Sequence, residues 1–429
     1  MNAPLGYAVL AAVFVVTFIW AVSSSRARTT AIPFVAGASA GLFSVQIENV
    51  HLFTPIVLAW FLARAGHKET QLGWRVFALP IACVPIALTV FLGDLVVNPG
   101  LALQLMALAA SAAMLAAGWD EDLRQPILSG LLCATSASAT LGLLQVAHLV
   151  PTDLWHVEVS ALGRPTGFYP EPDWLGMFAA VGTLLAWRLP MHPTLRIALV
   201  LVNLSALILA FARAAWLGAG VAAIIAILVW FRTRSPGDRL LGNGKTGRLR
   251  ALCLTLFALV VATTALPDLR RDLLTRLGST LTAQSNDVSA QARVQQNRTL
   301  SALADSAPWH GHGLSSSGRV GVSGIFYSDQ SANSVASNWA LGLWVDAAWL
   351  AVPFFLLIAF LVCTSLKRIE GMLLIAVLTN SFFSNALFQP VTWMLLGVIV
   401  ATSSSLHNTR SREERPAGRP RGRTYTNAA

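Results

Sequence analysis

Seven side chains in this sequence combine a type and a setting that could do chemistry. Arg213 stands alone in the apolar run Leu209-Ala-Phe-Ala-Arg213-Ala-Ala-Trp-Leu-Gly. Arg164 and Glu171 share the short polar stretch Ala161-Leu-Gly-Arg164-Pro-Thr-Gly-Phe-Tyr-Pro-Glu171-Pro-Asp173-Trp174. Arg293, Arg298, His310 and His312 follow in one long polar segment. Guanidiniums match phosphate oxygens bidentately and stay charged at any relevant pH, so the four arginines are candidates to bind an anionic group. His312, His310 and Glu171, in that order, are candidates for a base that takes a hydroxyl proton.

Each residue also has a plainer reading. Arg213 could be a snorkelling arginine that ends a helix. An arginine at a helix centre costs roughly 2.5–3.5 kcal/mol on insertion scales, so a partner or a function is the default expectation. Arg164 could form a surface salt bridge with Glu171 or Asp173, and Glu171 between two prolines could be a turn residue. Prolines stiffen that stretch, so its charges are held in place. His310 and His312 lack a third ligand nearby, whereas zinc needs three or four, so no metal is expected.

The elements that position these groups are spanning helices. The chain has 429 residues, of which 55% are hydrophobic and only 12% charged, with mean hydropathy +0.62. Soluble proteins carry about 25% charged residues, so this chain belongs in a bilayer. Apolar runs near the roughly 20 residues of a span recur along it. They start with Leu5–Val22, which lacks the basic n-region of a cleaved signal peptide, and end with Val391–Ser404. Thirteen such runs are read, including Ile127–Val150, Trp174–Trp187, Ala214–Phe231, Leu252–Leu266, Asn338–Leu361 and Met372–Phe388. The expected fold is all-α, a polytopic membrane bundle of about 12–13 spans.

The net charge of +10 sits mainly in connecting segments and the tail, as the positive-inside rule expects, which argues against nucleic acid as partner. Residues 1–406 read as the membrane domain and 407–429 as a basic, disordered cytoplasmic tail. The segment 267–337 reads as a long extracytoplasmic loop with six arginines against five aspartates. Inside it, Ala290–Leu303 reads as a helix lying along the membrane. Cys83, Cys133, Cys253 and Cys363 each lie in an apolar run, so disulfides are not expected. No inverted repeat of the transporter kind is visible.

Three features occur in order: Arg164-X-X-Gly-Phe-X-X-Glu171-Pro, then Arg213 before Ala-Ala-Trp-Leu-Gly, then a long polar segment with Arg, Trp and Gly311-His312-Gly313. Together they resemble the O-antigen ligase and O-antigen polymerase superfamily of bacterial integral membrane glycosyltransferases. The resemblance spans roughly 143–361. It implies an enzyme of the cytoplasmic membrane, active on the extracytoplasmic face. Such an enzyme moves a glycan from an undecaprenyl pyrophosphate carrier to an acceptor glycan or a lipid-linked repeat unit. It implies no nucleotide sugar and no cofactor. Arg164, Arg213 and one of Arg293 or Arg298 would clamp the pyrophosphate. The family's histidine-asparagine pair before the helix after the loop corresponds here to Ser337-Asn338, a departure that leaves the base open among His312, His310 and Glu171. A transporter or flippase for a polar or lipid-linked substrate is the competing class. A non-catalytic assembly protein, with structural arginines, is the third reading.

Overall fold

The computed structural model describes residues 3–42, 46–47, 49–70, 72–95, 97–150, 164–233, 288–321, 324–326 and 335–413. The expected span 252–266, the first part of the long loop and the end of the tail lie outside the described residues. Within them the chain is an all-α polytopic bundle with a single two-stranded hairpin, Gln46–Ile47 against Val50–His51. Five helical stretches are long and apolar enough to cross a membrane by length and composition: Leu5–Ser23, Trp74–Phe91, Pro99–Ala117, Glu121–Val146 and Trp339–Ser365. Shorter apolar helices accompany them.

The helices that matter for the site are α1 (Ala3–Ser23), α2 (Ile32–Gly41), α3 (Phe53–Gly66), α4 (Ala78–Leu88) and α5 (Pro99–Ala117). After them come α6 (Arg124–Val146), α7 (Pro172–Arg188), α8 (Pro193–Leu209) and α9 (Arg213–Thr233). The described chain resumes with α10 (Val288–Ser306), α11 (Trp339–Ala347), α12 (Val352–Ser365), α13 (Ile369–Asn380) and α14 (Pro390–Glu413). Helix starts follow local chemistry. Pro172, Pro193 and Pro390 sit at first positions, where the missing N–H costs nothing. Asn98 and Asn338 accept from the backbone N–H of Gly100 and Leu341 and cap α5 and α11.

Small residues let the backbones approach. A Cβ on Gly37 of α2 would land on the carbonyl oxygen of Ile127 in α6, and one on Gly130 of α6 would land on that of Phe34 in α2. Spanning helices lack a hydrophobic drive to associate and rely on such contacts. Gly130→Leu is therefore expected to abolish the monodisperse protein on size-exclusion chromatography in detergent, since overpacking costs about 1–3 kcal/mol or more and backbone cannot yield as a side chain can. Gly220→Leu, into open space on α9, is the matched control and should elute as the parent does.

Two departures from the sequence reading bear on the site. The apolar run Met372–Phe388 is not one helix. α13 stops at Asn380, and residues 381–389 turn back toward α14, with the Ser381 hydroxyl accepting from Ala386 N and Asn385 Oδ1 from Leu387 N. The run Asn338–Leu361 breaks after Ala347, where Ala348 takes a positive φ of 41° before α12 begins. At the other end, α14 continues to Glu413.

The bundle has two chemically different ends. At one end Arg28 and Arg64 meet Glu69, Arg124 meets Glu370, and the Arg188 guanidinium reaches Met372. At the other end the carbonyl of Phe388 takes hydrogen bonds with His51 and Gln104, and the loop before α7 packs on the end of α6. The candidate site lies at this second end.

Candidate functional site

The stretch before α7 is bolted to the bundle by side chains from helix interiors. The backbone N–H groups of Thr166 and Gly167 both donate to Gln145 Oε1 of α6, at 3.1 and 2.9 Å. Phe168 N donates to Ser138 Oγ at 3.1 Å. The Tyr169 hydroxyl donates to the carbonyl of Gly41 at 2.7 Å, and its ring stacks on Phe178 at 4.7 Å between centroids. Gly167 turns with φ 61°, a conformation that suits glycine, and a side chain there would strike Ser138. A loop held by buried partners presents its charges in one geometry.

That geometry joins two of the predicted arginines. Asp173, in the first turn of α7, accepts from Arg164 on Oδ1 at 2.6 Å and from Arg293 on Oδ2 at 2.8 Å. Arg164 Nε also donates to the carbonyl of Ala210, at 2.7 Å. Ala210 belongs to the tight turn between α8 and α9, where Phe211 takes a positive φ of 49° and Arg213 opens the next helix. Arg213 thus starts three residues from a carbonyl that Arg164 grips. Arg293 donates to the carbonyl of Phe383 at 3.1 Å and lies 6.0 Å from that ring. The 381–389 turn, read as helix from sequence, is what supplies this carbonyl.

The segment before α11 closes the same region. Ser337 Oγ donates to Gln296 Oε1 at 2.5 Å, and Gln296 lies three residues, one helical turn, from Arg293. Trp339 N donates to Ser381 O, and Asn385 Nδ2 to Ala336 O. Ser337, standing where the resemblance expects histidine, therefore lies one turn of α10 from Arg293, with a hydroxyl instead of an imidazole.

Electrostatics separate the two carboxylates. Burial alone would raise the Asp173 carboxyl, but the charges and hydrogen bonds of Arg164 and Arg293 outweigh it and hold it below the usual range. Glu171 caps the start of α7 and makes no side-chain cap bond there. Crowding by protein and then the charge of Asp173 raise its carboxyl, and the nearby Arg293 and Arg164 only partly offset this. Part of its side chain stays open to the surface. Two acids two residues apart are pushed in opposite directions.

The remaining candidates fall elsewhere. Arg298 is five residues from Arg293, roughly 140° around α10, and lies exposed on an open groove with Val294, Asn297 and Asp305. Leu300 and Leu303, on the stripe that also carries Gln296, pack on Val320, Ala336 and Val345. His312 is buried at the far end of α10. Its Nδ1 meets Asp94 Oδ1 at 2.9 Å and its Nε2 meets the carbonyl of Leu303 at 3.1 Å. Both ring nitrogens are thus engaged by oxygens within the protein. Leu303 is ten residues from Arg293, about 15 Å along the helix. His310 stands edge-on to Trp309 at 5.4 Å, with a buried Nδ1 that has no hydrogen-bond partner. Of the three proposed bases, Glu171 is the one that adjoins the arginine pair.

Asp346 was not visible from sequence as a site residue. It is buried in α11 and accepts from the N–H groups of Ser315 and Ser317 and from the Ser317 hydroxyl, at 3.2, 2.7 and 3.1 Å. It fixes the loop that Gly311 and Gly313 turn, with φ 77° and 98°. An acid in an apolar helix was the available signal. Among the described residues no three His, Cys, Asp or Glu side chains cluster closely enough to hold a metal ion.

Residues 197–347, from α8 to the end of α11, match the family model for O-Antigen ligase. Over that segment, about a third of its length, the chain is similar to the O-antigen ligase family. The matched span holds Arg213, Arg293, Arg298, His310 and His312, while Arg164, Glu171 and Asp173 precede it. No curated protein and no solved structure matches the chain. A glycosyl-transferring membrane enzyme of ligase or polymerase type is the function the family supports. The matched segment and the loop before α7 meet through Asp173.

Proposed function

We propose that the chain transfers a glycan from an undecaprenyl pyrophosphate carrier to an acceptor hydroxyl on the outer face of the cytoplasmic membrane. The observation that carries this reading is Asp173, whose two oxygens hold Arg164 and Arg293 side by side next to Glu171. Two guanidiniums on one carboxylate lie close enough for a single diphosphate to engage both, and Arg213 opens α9 three residues after the Ala210 carbonyl that Arg164 grips. The lysines and arginines at the opposite end of the bundle support an extracytoplasmic placement for this end.

In the reaction the bond from the anomeric carbon to the phosphate oxygen breaks, and the acceptor oxygen forms a new bond to that carbon. The acceptor proton passes to the Glu171 carboxylate. Negative charge builds on the departing lipid pyrophosphate, where Arg164, Arg293 and Arg213 stabilise it. Arg298, on the exposed face of α10, faces away from this pair and suits the glycan rather than the phosphates. The acceptor is another carrier-linked repeat unit in a polymerase or a lipid core sugar in a ligase, and the polymerase reading is preferred on the Ser337 departure. On this reading residues 1–406 form the membrane unit and the catalytic region spans about 143–361.

Purified protein supplied with a lipid-pyrophosphate-linked glycan is expected to yield a new glycosidic bond, read by mass spectrometry. Joined repeat units identify a polymerase, and transfer to a lipid core sugar identifies a ligase. Movement of the glycan across a liposome wall without bond formation would make the chain a transporter and end this assignment.

A further inference from the structure

At the end of the bundle away from the arginine pair, a groove of about 440 Å³ runs between the start of the α4 stretch, α12 and α14. Leu357, Phe360 and Ile399 make its apolar wall, and Arg75 and Arg368 stand in it. The groove's threonine and serine hydroxyls are committed to their own helices: Thr364 donates to Phe360 O, Ser365 to Leu361 O and Thr402 to Val398 O. The two guanidiniums are not committed in this way. Arg75 lies 5.8 Å from the ring of the exposed Trp74, and among the described residues neither Arg75 nor Arg368 has a carboxylate in ion-pair reach. Their neighbours at the same end differ, since Arg28 and Arg64 share Glu69 and Arg124 holds Glu370.

Two uncompensated cations over an apolar cleft, on the basic side of a membrane bundle, are complementary to an amphiphile with a phosphate head. We propose that this groove binds an anionic membrane phospholipid, its phosphate between Arg75 and Arg368 and one acyl chain along Leu357, Phe360 and Ile399. Trp74, exposed beside Arg75, is of a residue type enriched at the headgroup level. The site is remote from the glycan-transfer residues and does not depend on their assignment.

The test uses the full chain in mixed micelles of phosphatidylglycerol and phosphatidylcholine, with thermal melting as readout. Phosphatidylglycerol is expected to raise the melting temperature above that in phosphatidylcholine alone. An arginine near a surface contributes about 1 kcal/mol toward anionic lipid, so the half-saturating mole fraction should rise about fivefold for Arg75→Gln or Arg368→Gln and about thirtyfold for both. Arg75→Lys with Arg368→Lys should keep most of the preference. Arg26→Gln with Lys68→Gln, on the same end but outside the groove, should leave it unchanged. The proposal is overturned if the double glutamine variant, melting as the parent does in phosphatidylcholine, keeps the full preference. An equal loss in the Arg26 and Lys68 control also overturns it, because the effect is then general charge. Equal stabilisation by inorganic phosphate overturns the lipid assignment in favour of a free anion.

Discussion

Arg293→Ala is expected to slow glycan transfer by on the order of 100- to 1000-fold, the usual cost of removing one preorganised stabiliser of developing charge. Arg164→Ala should fall in the same range, and Arg213→Ala with it. Arg293 reaches from α10, Arg164 from the loop before α7, and one carboxylate holds both. Because they share Asp173, their effects should not add: the double variant should be little slower than either single one. A pair acting at separate places would instead multiply. Each alanine also removes a charge-assisted hydrogen bond, about 1.5–3 kcal/mol of stability, so rates belong well below the melting temperature and at matched amounts of folded protein. Polymer of parental length from both Arg164→Ala and Arg293→Ala would discard the clamp. Arg298→Ala is the internal comparison, because it shares the helix but not the face.

Glu171→Gln is expected to cost about 100- to 10,000-fold in rate, the range for general base catalysis, and to change the pH profile. Crowding by neighbouring protein and the charge of Asp173 hold the exposed Glu171 carboxyl above its ordinary value. A base works ionised, so activity should fall as pH drops through that raised pKa. The acid limb should therefore lie above the roughly 4.3 of a free glutamate, and the glutamine variant should lack it. The stability sign runs the other way. A carboxyl whose pKa is raised by folding binds its proton more tightly when folded, so ionisation at neutral pH costs stability. Glu171→Gln removes that cost, and the variant should melt no lower than the parent. A loss of rate then cannot be a loss of fold. His312→Gln is the contrast: it breaks the bonds to Asp94 and Leu303 and should lower stability before it changes the pH profile. An unchanged acid limb in Glu171→Gln would pass the role of base to another group.

The departure at Ser337 gains meaning from these contacts. Its hydroxyl bonds Gln296, one turn from Arg293, so the position where relatives are expected to carry histidine lies near the clamp. With serine there, Glu171 is the carboxyl near the two guanidiniums that does not itself bind them in an ion pair among the described residues. His312, ranked first from sequence, is engaged by Asp94 and the Leu303 carbonyl.

Some of this was legible from composition and order alone. Few charges and many apolar runs dictate an all-α membrane bundle, because a bilayer demands internally satisfied backbone. Isolated arginines in apolar or proline-stiffened stretches stand out for the same reason, since such charges are costly without a task. Partnership was not legible. Arg164 and Arg293 are 129 positions apart, and the choice of Arg293 over Arg298 turns on which face of α10 meets Asp173. The 381–389 turn reads as helix because Phe382, Phe383, Leu387 and Phe388 satisfy hydropathy as well in a turn as in a span. Its carbonyls become hydrogen-bond partners only when α13 ends early. Hydropathy is a property of each residue and survives in a list. Proximity across the bundle depends on helix phase and crossing, which only tertiary packing determines.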